Sequence, residues 1–230
     1  RLLISCPMPP SFDLLLATAY APPVSFFSKL YSYQGKRIGL EAHEHYLKQS
    51  YRNRCRILSP NGIQSLTIPV ELPVGGKTPI RDVRISTHSD WRHLHLQALR
   101  TAYGATPFFQ YYIDELLPFY ERKYVFLWDF NGDLLTWLLQ QLDLEVELLP
   151  TEEFLPPSSS SEIEDLRYVI QPRRAGKVPG FIPQSYYQGY ADRYGFTPEL
   201  SIFDLLFEQG PEALLILRDS TTSSLPLIYD

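Results

Sequence analysis

Leu14-Leu15-Leu16-Ala17-Thr18-Ala19-Tyr20-Ala21-Pro22-Pro23-Val24-Ser25-Phe26-Phe27-Ser28-Lys29-Leu30 is the stretch on which the fold class turns. Residues 14 to 19 form a short unbroken apolar run with a turn signal behind it, which reads as a buried strand. Tyr20-Ala21-Pro22-Pro23 stops that strand, and Pro23 suits the first position of a helix because its missing N–H is not needed there. Val24 to Tyr33 is apolar at helical spacing and ends near Gly35. Arg37 to Ala42 then reads as a second strand, so the chain opens as strand, helix, strand.

Working outward, the same alternation continues. Arg54 to Leu58 and Ser65 to Val70 flank Ser59-Pro60-Asn61-Gly62. Asn-Gly between two β-type runs signals a hairpin, here with a loop longer than two residues. Asp82 to Ser86 alternates polar and apolar, as a half-buried strand does. Ser89 or Asp90 caps a helix through Trp91 and Leu99 towards Tyr103, ended by Gly104. Pro107 opens the next helix, Phe108 to Leu117. A third passes through Leu134, Leu138 and Leu142, with Asp129, Asn131 and Asp133 as candidate caps. Leu144 to Leu149 alternates with Glu145 and Glu147 and reads as a strand. Pro150, Pro156, Pro157 and Ser158 to Ser161 mark a loop or linker over 150–162. Beyond it, Ser201 to Gln209 is a helix, and Ala213 to Leu217 is a short apolar run. The expected architecture is α/β: a mixed central sheet with packed helices in a single domain over 14–217, the C-terminal part folding back on the core.

Composition narrows the function. The 230 residues carry 21 basic and 26 acidic side chains, a net charge of −5, which argues against a nucleic-acid partner. Only Cys6 and Cys55 are present, so no disulfide framework is expected and a reducing, cytoplasmic setting follows. No apolar run reaches the roughly 18 residues of a membrane span. Pro7, Pro9, Pro10 and Asp13 break the run that a signal peptide needs. Sixteen tyrosines, 13 phenylalanines and 3 tryptophans supply half-wet aromatic surface. Neither a Gly-x-Gly-x-x-Gly, a Walker-type loop nor a Gly-x-Ser-x-Gly elbow is present, and the sequence assigns no cofactor.

The chemistry concentrates between Glu41 and Arg56. Lys48, Arg52, Arg54 and Arg56 place four cations within nine residues of an acidic chain. In an extended strand Arg52, Arg54 and Arg56 share one face, and arginine forks hold phosphate or carboxylate by paired bonds. Lys48, Arg52, Asn53 and Arg54 are therefore the expected anion ligands, with a bend near Tyr51 needed to bring Asn53 to the same ligand. The plain competitor is that Arg52 and Arg54 pair with Glu41, Glu44 or C-terminal acids. Tyr20 and Tyr46 offer aromatic surface to the same ligand. His43 and His45 are the candidate general bases, since imidazole titrates near working pH. His43-x-His45 and His93-x-His95 lack zinc-site spacing, and no metal is expected. Cys55 among arginines is either an activated thiolate or, as is commoner for a free cysteine, a small buried residue. Ser201 caps its helix, and Asp204 at the third helical position is placed to reach back to the cap backbone.

Several of these pieces occur together in an order that is itself informative. Tyr20-Ala21-Pro22-Pro23 with Phe26-Phe27-Ser28-Lys29-Leu30, then Tyr46-x-Lys48-Gln49-Ser50-Tyr51-Arg52-Asn53-Arg54, Leu66-Thr67-Ile68-Pro69-Val70, Trp91, Tyr103, Pro107-Phe108-Phe109, Asn131 and Leu200-Ser201-Ile202-x-Asp204-Leu205-Leu206-Phe207 follow one another along the chain. The set resembles the WbqC-like protein family from about residue 15 to 212. The chain departs from the family at Ala19, Tyr20 and Ala21, where members often carry Gln or His beside an aromatic. The resemblance implies a role in surface-polysaccharide (O-antigen type) synthesis, with aminoacyl transfer, glycine in particular, to a sugar as the suggested chemistry. It implies a phosphorylated or lipid-linked sugar as ligand and other polysaccharide-synthesis proteins as partners. A non-catalytic protein that holds such an intermediate is the alternative.

Overall fold

Leu14, Leu15 and Leu16 are each no more than 2% exposed, so the run is covered on both faces, as its lack of alternation requires. The computed structural model describes residues 12–157, 162–175 and 177–221. In chain order the elements are β1 (Leu14–Ala17), α1 (Val24–Ser32), β2 (Ile38–Glu41), β3 (Arg54–Ser59), β4 (Gly62–Thr67), β5 (Val70–Glu71), β6 (Arg84–Ile85), α2 (Trp91–Tyr103), α3 (Phe109–Glu121), α4 (Leu127–Gln141), β7 (Leu148–Pro150), β8 (Glu164–Asp165), α5 (Ala191–Tyr194), α6 (Ile202–Gln209) and α7 (Ala213–Asp219).

The expected α/β architecture is present, with parallel and antiparallel pairing in separate ladders. The four-stranded sheet runs β7-β2-β1-β8 and is parallel throughout, with Leu14 opposite both Ile38 and Glu164, and Ile38 opposite Leu148. Gly39 permits its tight packing: a Cβ there would lie 2.9 Å from the side chains of Leu15 and Phe12. The antiparallel pairs are β3–β4 and β5–β6. The C-terminal part joins the same core. It adds β8 to the sheet, Leu200 accepts from the Val24 N–H and Ser201 donates its N–H to Arg56. Phe203, Leu206 and Phe207 are fully buried in one cluster with Leu14, Phe27 and Leu30.

Several local expectations are corrected. Ser59 pairs with Gly62, leaving only Pro60 and Asn61 between paired residues, so the hairpin closes more tightly than the sequence suggested. Gly62 makes this feasible by taking φ +97°. Asp129, Asn131 and Asp133 are not caps, because α4 starts earlier, at Leu127, and contains all three. Helix α3 runs past Leu117 with Pro118 inside its last turn. The strands expected over 82–86 and 144–149 shrink to Arg84–Ile85 and Leu148–Pro150. Of the predicted 150–162 loop, Ser158 to Ser161 lie outside the described residues, as do Cys6 and the N-terminal prolines.

Candidate anion-binding site

The strand order places β2 and β7 on one side of β1 and β8 on the other. In open parallel sheets the carboxyl edge beside such a reversal is where ligands bind. Four parts of the chain meet here: the end of β1, the loop 42–53, the start of β3 and the segment 165–174. The last three contribute charge, and the charges fall into two groups.

In the first group every cation is paired with carboxylates of the chain itself. Arg52 does not lie on β3, which begins at Arg54; residues 48 to 53 form a turn, with Gln49 at φ 58°. The side chain of Arg52 therefore points inward, and its guanidinium grips Glu44, Nε donating to Oε1 at 2.7 Å and Nη2 to Oε2. Both are at most 2% exposed. Arg167 does likewise, donating to Asp165 from Nε at 2.9 Å and from Nη2 at 2.6 Å, and to Glu41 Oε2 from Nη1 at 2.6 Å. Thr151 Oγ and the His43 N–H add two donors at 2.9 Å to Glu41 Oε1. The two guanidiniums lie 5.9 and 5.4 Å from the Tyr168 ring centroid. Buried charges persist when paired and hydrogen-bonded in this manner. The crevice that Arg52 and Arg167 line with Thr18 and Tyr51 holds about 10 Å³, room for one water and not for a sugar.

The second group lacks counter-ions. Arg54 and Arg56 share the outward face of β3, while Cys55 and Ile57 between and beyond them are buried. The Nε of each arginine is buried without a hydrogen-bond partner. Arg56 Nη1 reaches the Pro172 carbonyl at 3.2 Å, and Arg173 donates to Gln49, which brings the 172–174 turn against the 48–51 turn. Lys48, Arg173 and Arg174 are exposed. Among the described residues, no ion pair within 4 Å includes Lys48, Arg54, Arg56, Arg173 or Arg174. Tyr51 adds a buried hydroxyl without a partner, and Tyr46 lies close enough to feel the charges of Arg54 and Arg52. Burial is the first cause raising the Tyr51 and Tyr46 phenols above their usual range, so both remain neutral donors.

The remaining sequence candidates are distributed around this patch. His43 and His45 are exposed in the loop after β2. His45 sits on a bridge to Pro79, next to Tyr46. Asn53 is buried and donates from Nδ2 to the Ile68 carbonyl at 2.8 Å, which ties the turn to the following strand. Tyr20 is fully buried away from the arginine face. Its hydroxyl meets His95 Nδ1 at 2.9 Å and the Tyr120 hydroxyl at 2.7 Å. Cys55 is buried, and burial pushes its thiol well above the ordinary range, so the neighbouring arginines do not make it a thiolate. Asp204 does not cap the helix backbone. It accepts from the Tyr103 hydroxyl at 2.9 Å, the Tyr186 hydroxyl at 2.7 Å and Gln188 Nε2 at 2.8 Å. The Ser201 hydroxyl does serve as cap, accepting from the Phe203 N–H.

The start of α1 offers no room for an anion, because the chain supplies its own. Glu199 accepts from the Ser25 N–H at 3.1 Å and the Ser25 hydroxyl at 2.8 Å. Among the described residues, no group of three or more His, Cys, Asp and Glu is arranged to hold a metal. None of their helices is long and apolar enough to cross a membrane.

Sequence reasoning missed Arg173 and Arg167. Pro172-Arg173-Arg174 was visible as a basic run, but only the tertiary contact with Gln49 attaches it to the β3 arginines.

The sequence model of the WbqC-like protein family matches residues 18–176, which include both arginine groups. The chain belongs to the WbqC-like family. Within it, the chain is similar to the uncharacterized protein Rv1507c of Mycobacterium tuberculosis, 31% identical over 196 residues, 75% of this chain and 84% of that one. No solved structure matches it. For this WbqC-like chain the geometry thus separates scaffold arginines from outward ones. Residues two apart on one strand face the same side with backbones about 7 Å apart at 3.3 Å per residue, a spacing from which two long arginine side chains can reach one anionic group.

Proposed function

We propose that the chain holds a phosphorylated or lipid-linked sugar intermediate of surface-polysaccharide synthesis, with Arg54 and Arg56 gripping its phosphate. The observation that carries this reading is the pair of buried Nε groups on one face of β3 that have, among the described residues, no hydrogen-bond partner and no carboxylate within ion-pair distance. Leaving a guanidinium N–H buried and unpaired costs about 1–3 kcal/mol or more, and a bound anion removes that cost. Lys48, Arg173 and Tyr46 line the approach, the cations adding charge and the ring an apolar face for a sugar. The sugar pathway itself comes from family membership.

Transfer of an acyl or aminoacyl group to that sugar is the second reading. It is favoured by His45, exposed beside Tyr46, and by His43, whose N–H is fixed on Glu41 while its ring faces solvent. A general base must stand within reach of the acceptor hydroxyl, and both rings are on the loop that borders the patch.

One experiment separates these readings. A deletion strain is complemented with the wild type, with Arg54→Ala/Arg56→Ala or with His43→Ala/His45→Ala, and its sugar intermediates are profiled. The holding role predicts that the arginine variant accumulates an intermediate and the histidine variant does not. Accumulation with the histidine variant, while its purified chain still binds the intermediate, assigns transfer. Normal profiles with the arginine variant refute the site.

A further inference from the structure

A second feature, on a different part of the fold, has no role in the anion site. Helix α4 turns a row of residues outward at 128, 132, 135, 136, 139 and 140, the spacing of one helical face. The row borders a groove of about 690 Å³ whose far wall is the segment 143–148, with Leu40 of β2 at its base. The twelve steps from 128 to 140, at 1.5 Å each, make the row about 18 Å long. Leu135 and Leu144 are buried at the floor, and Trp128, Leu139, Val146 and Leu148 are half-exposed walls. Among the described residues no further element covers this groove.

Two observations indicate what covers it. Asp143, Glu145 and Glu147 form an exposed acidic lip, and none of them enters an ion pair within 4 Å among the described residues. Gly132 lies in the middle of the α4 row, and a Cβ built there meets nothing within 4 Å. A glycine inside a helix weakens it relative to alanine, and no contact among the described residues requires one at this position. Bare backbone at the centre of a groove lets a partner's backbone approach closely.

We infer that this groove docks an amphipathic helix of a partner protein, apolar on the buried side and lysine- or arginine-rich along the flank that meets the acidic lip. The length fits about three helical turns, and the mode is the helix-in-groove one, read by anchors at i, i+4 and i+7. A second copy of this chain is the poorer occupant, because a symmetric contact would bring two acidic lips together.

The test uses the full chain and a displayed library of 20-residue helical peptides that share a leucine stripe and carry randomised flanks. Selection on the wild-type chain is expected to enrich lysine- and arginine-flanked peptides. Their affinity should fall at least tenfold on Gly132→Leu, which fills the groove, and on Glu145→Lys/Glu147→Lys. Gly132→Leu faces open space and raises helix propensity, so a thermal unfolding midpoint at or above that of the wild type serves as the folding control. Lack of enrichment above the Gly132→Leu chain overturns the inference. So does equal enrichment of acidic flanks, or a concentration-dependent dimer in sedimentation that Gly132→Leu abolishes.

Discussion

Arg52 and Arg54 are two residues apart in the chain and differ in almost every physical respect. Arg52 lies in a turn, is 2% exposed and has both arms of its fork on Glu44. Arg54 opens a strand, faces outward and has a buried Nε without a partner. The same contrast recurs between Arg167, saturated by Glu41 and Asp165, and Arg56, which has only a carbonyl contact at 3.2 Å. The lesson is that burial alone does not distinguish scaffold from recognition. Saturation is the observed difference: a paired guanidinium fixes the loops that it joins, and on the proposed reading an unpaired one keeps its bonding capacity for a ligand.

Breaking the scaffold side should give the largest effect. Arg167→Met leaves Glu41 and Asp165 without their cation in the interior, and removal of one partner from a buried pair costs about 3–5 kcal/mol. Urea unfolding should show that loss, or a failure to fold. A change below about 1 kcal/mol would mean that this network is not structural.

The next effect concerns a saturated neutral group. Burial pushes the His95 imidazole down to about 4 from its usual 6.5, while its ring is held by Tyr20 and the Thr67 carbonyl. The unfolded chain takes up a proton near pH 6.5 and the folded chain does not until about pH 4, so acidification through that window favours unfolding. The contribution is about 3 kcal/mol at 1.36 kcal/mol per unit. Glu208 acts in the opposite sense. Burial raises it to about 7, and its share of stability is lost as pH rises from 4.5 through 7. Subtracting the pH profile of His95→Gln from that of the wild type removes the Glu208 share and isolates His95. Arg54→Ala/Arg56→Ala should leave this difference unchanged, because neither arginine belongs to that network. NMR titration of the His95 ring checks the value directly.

A smaller effect is expected at the α6 cap. Ser201→Ala removes the acceptor of the Phe203 N–H and the donor to the Ala21 carbonyl, for about 1 kcal/mol by thermal unfolding.

How much of this was legible in the sequence follows the same division between local and tertiary causes. β1, the Pro22-Pro23 turn and α1 could be read because an apolar run, a proline stop and helical spacing act locally. The Ser201 cap was legible for the same reason. Arg52 was misplaced because period-2 spacing holds only inside a strand, and the turn over 48–53 puts the strand start after it. Its partner Glu44 is eight residues earlier, a pairing made by the path of the loop. Asp204 looked like a cap residue, but its oxygens meet Tyr103 and Tyr186, which no local pattern reveals. Arg173 joins the patch through a contact across 124 residues of chain. Residues 41–56 carry a dense run of charge that is visible in the sequence, and the tertiary fold sorts which of those charges find a counter-ion among the described residues.

The most direct measurement is a calorimetric titration of the wild-type chain and of Arg54→Lys with a sugar phosphate and with the same sugar lacking phosphate. The account predicts saturable binding of the phosphorylated sugar alone. It predicts at least a tenfold loss, about 1.4 kcal/mol, in Arg54→Lys, which keeps the charge and loses the planar fork, with urea unfolding unchanged to within about 0.5 kcal/mol. Equal affinity in the two chains, or equal binding of the neutral sugar, would contradict it.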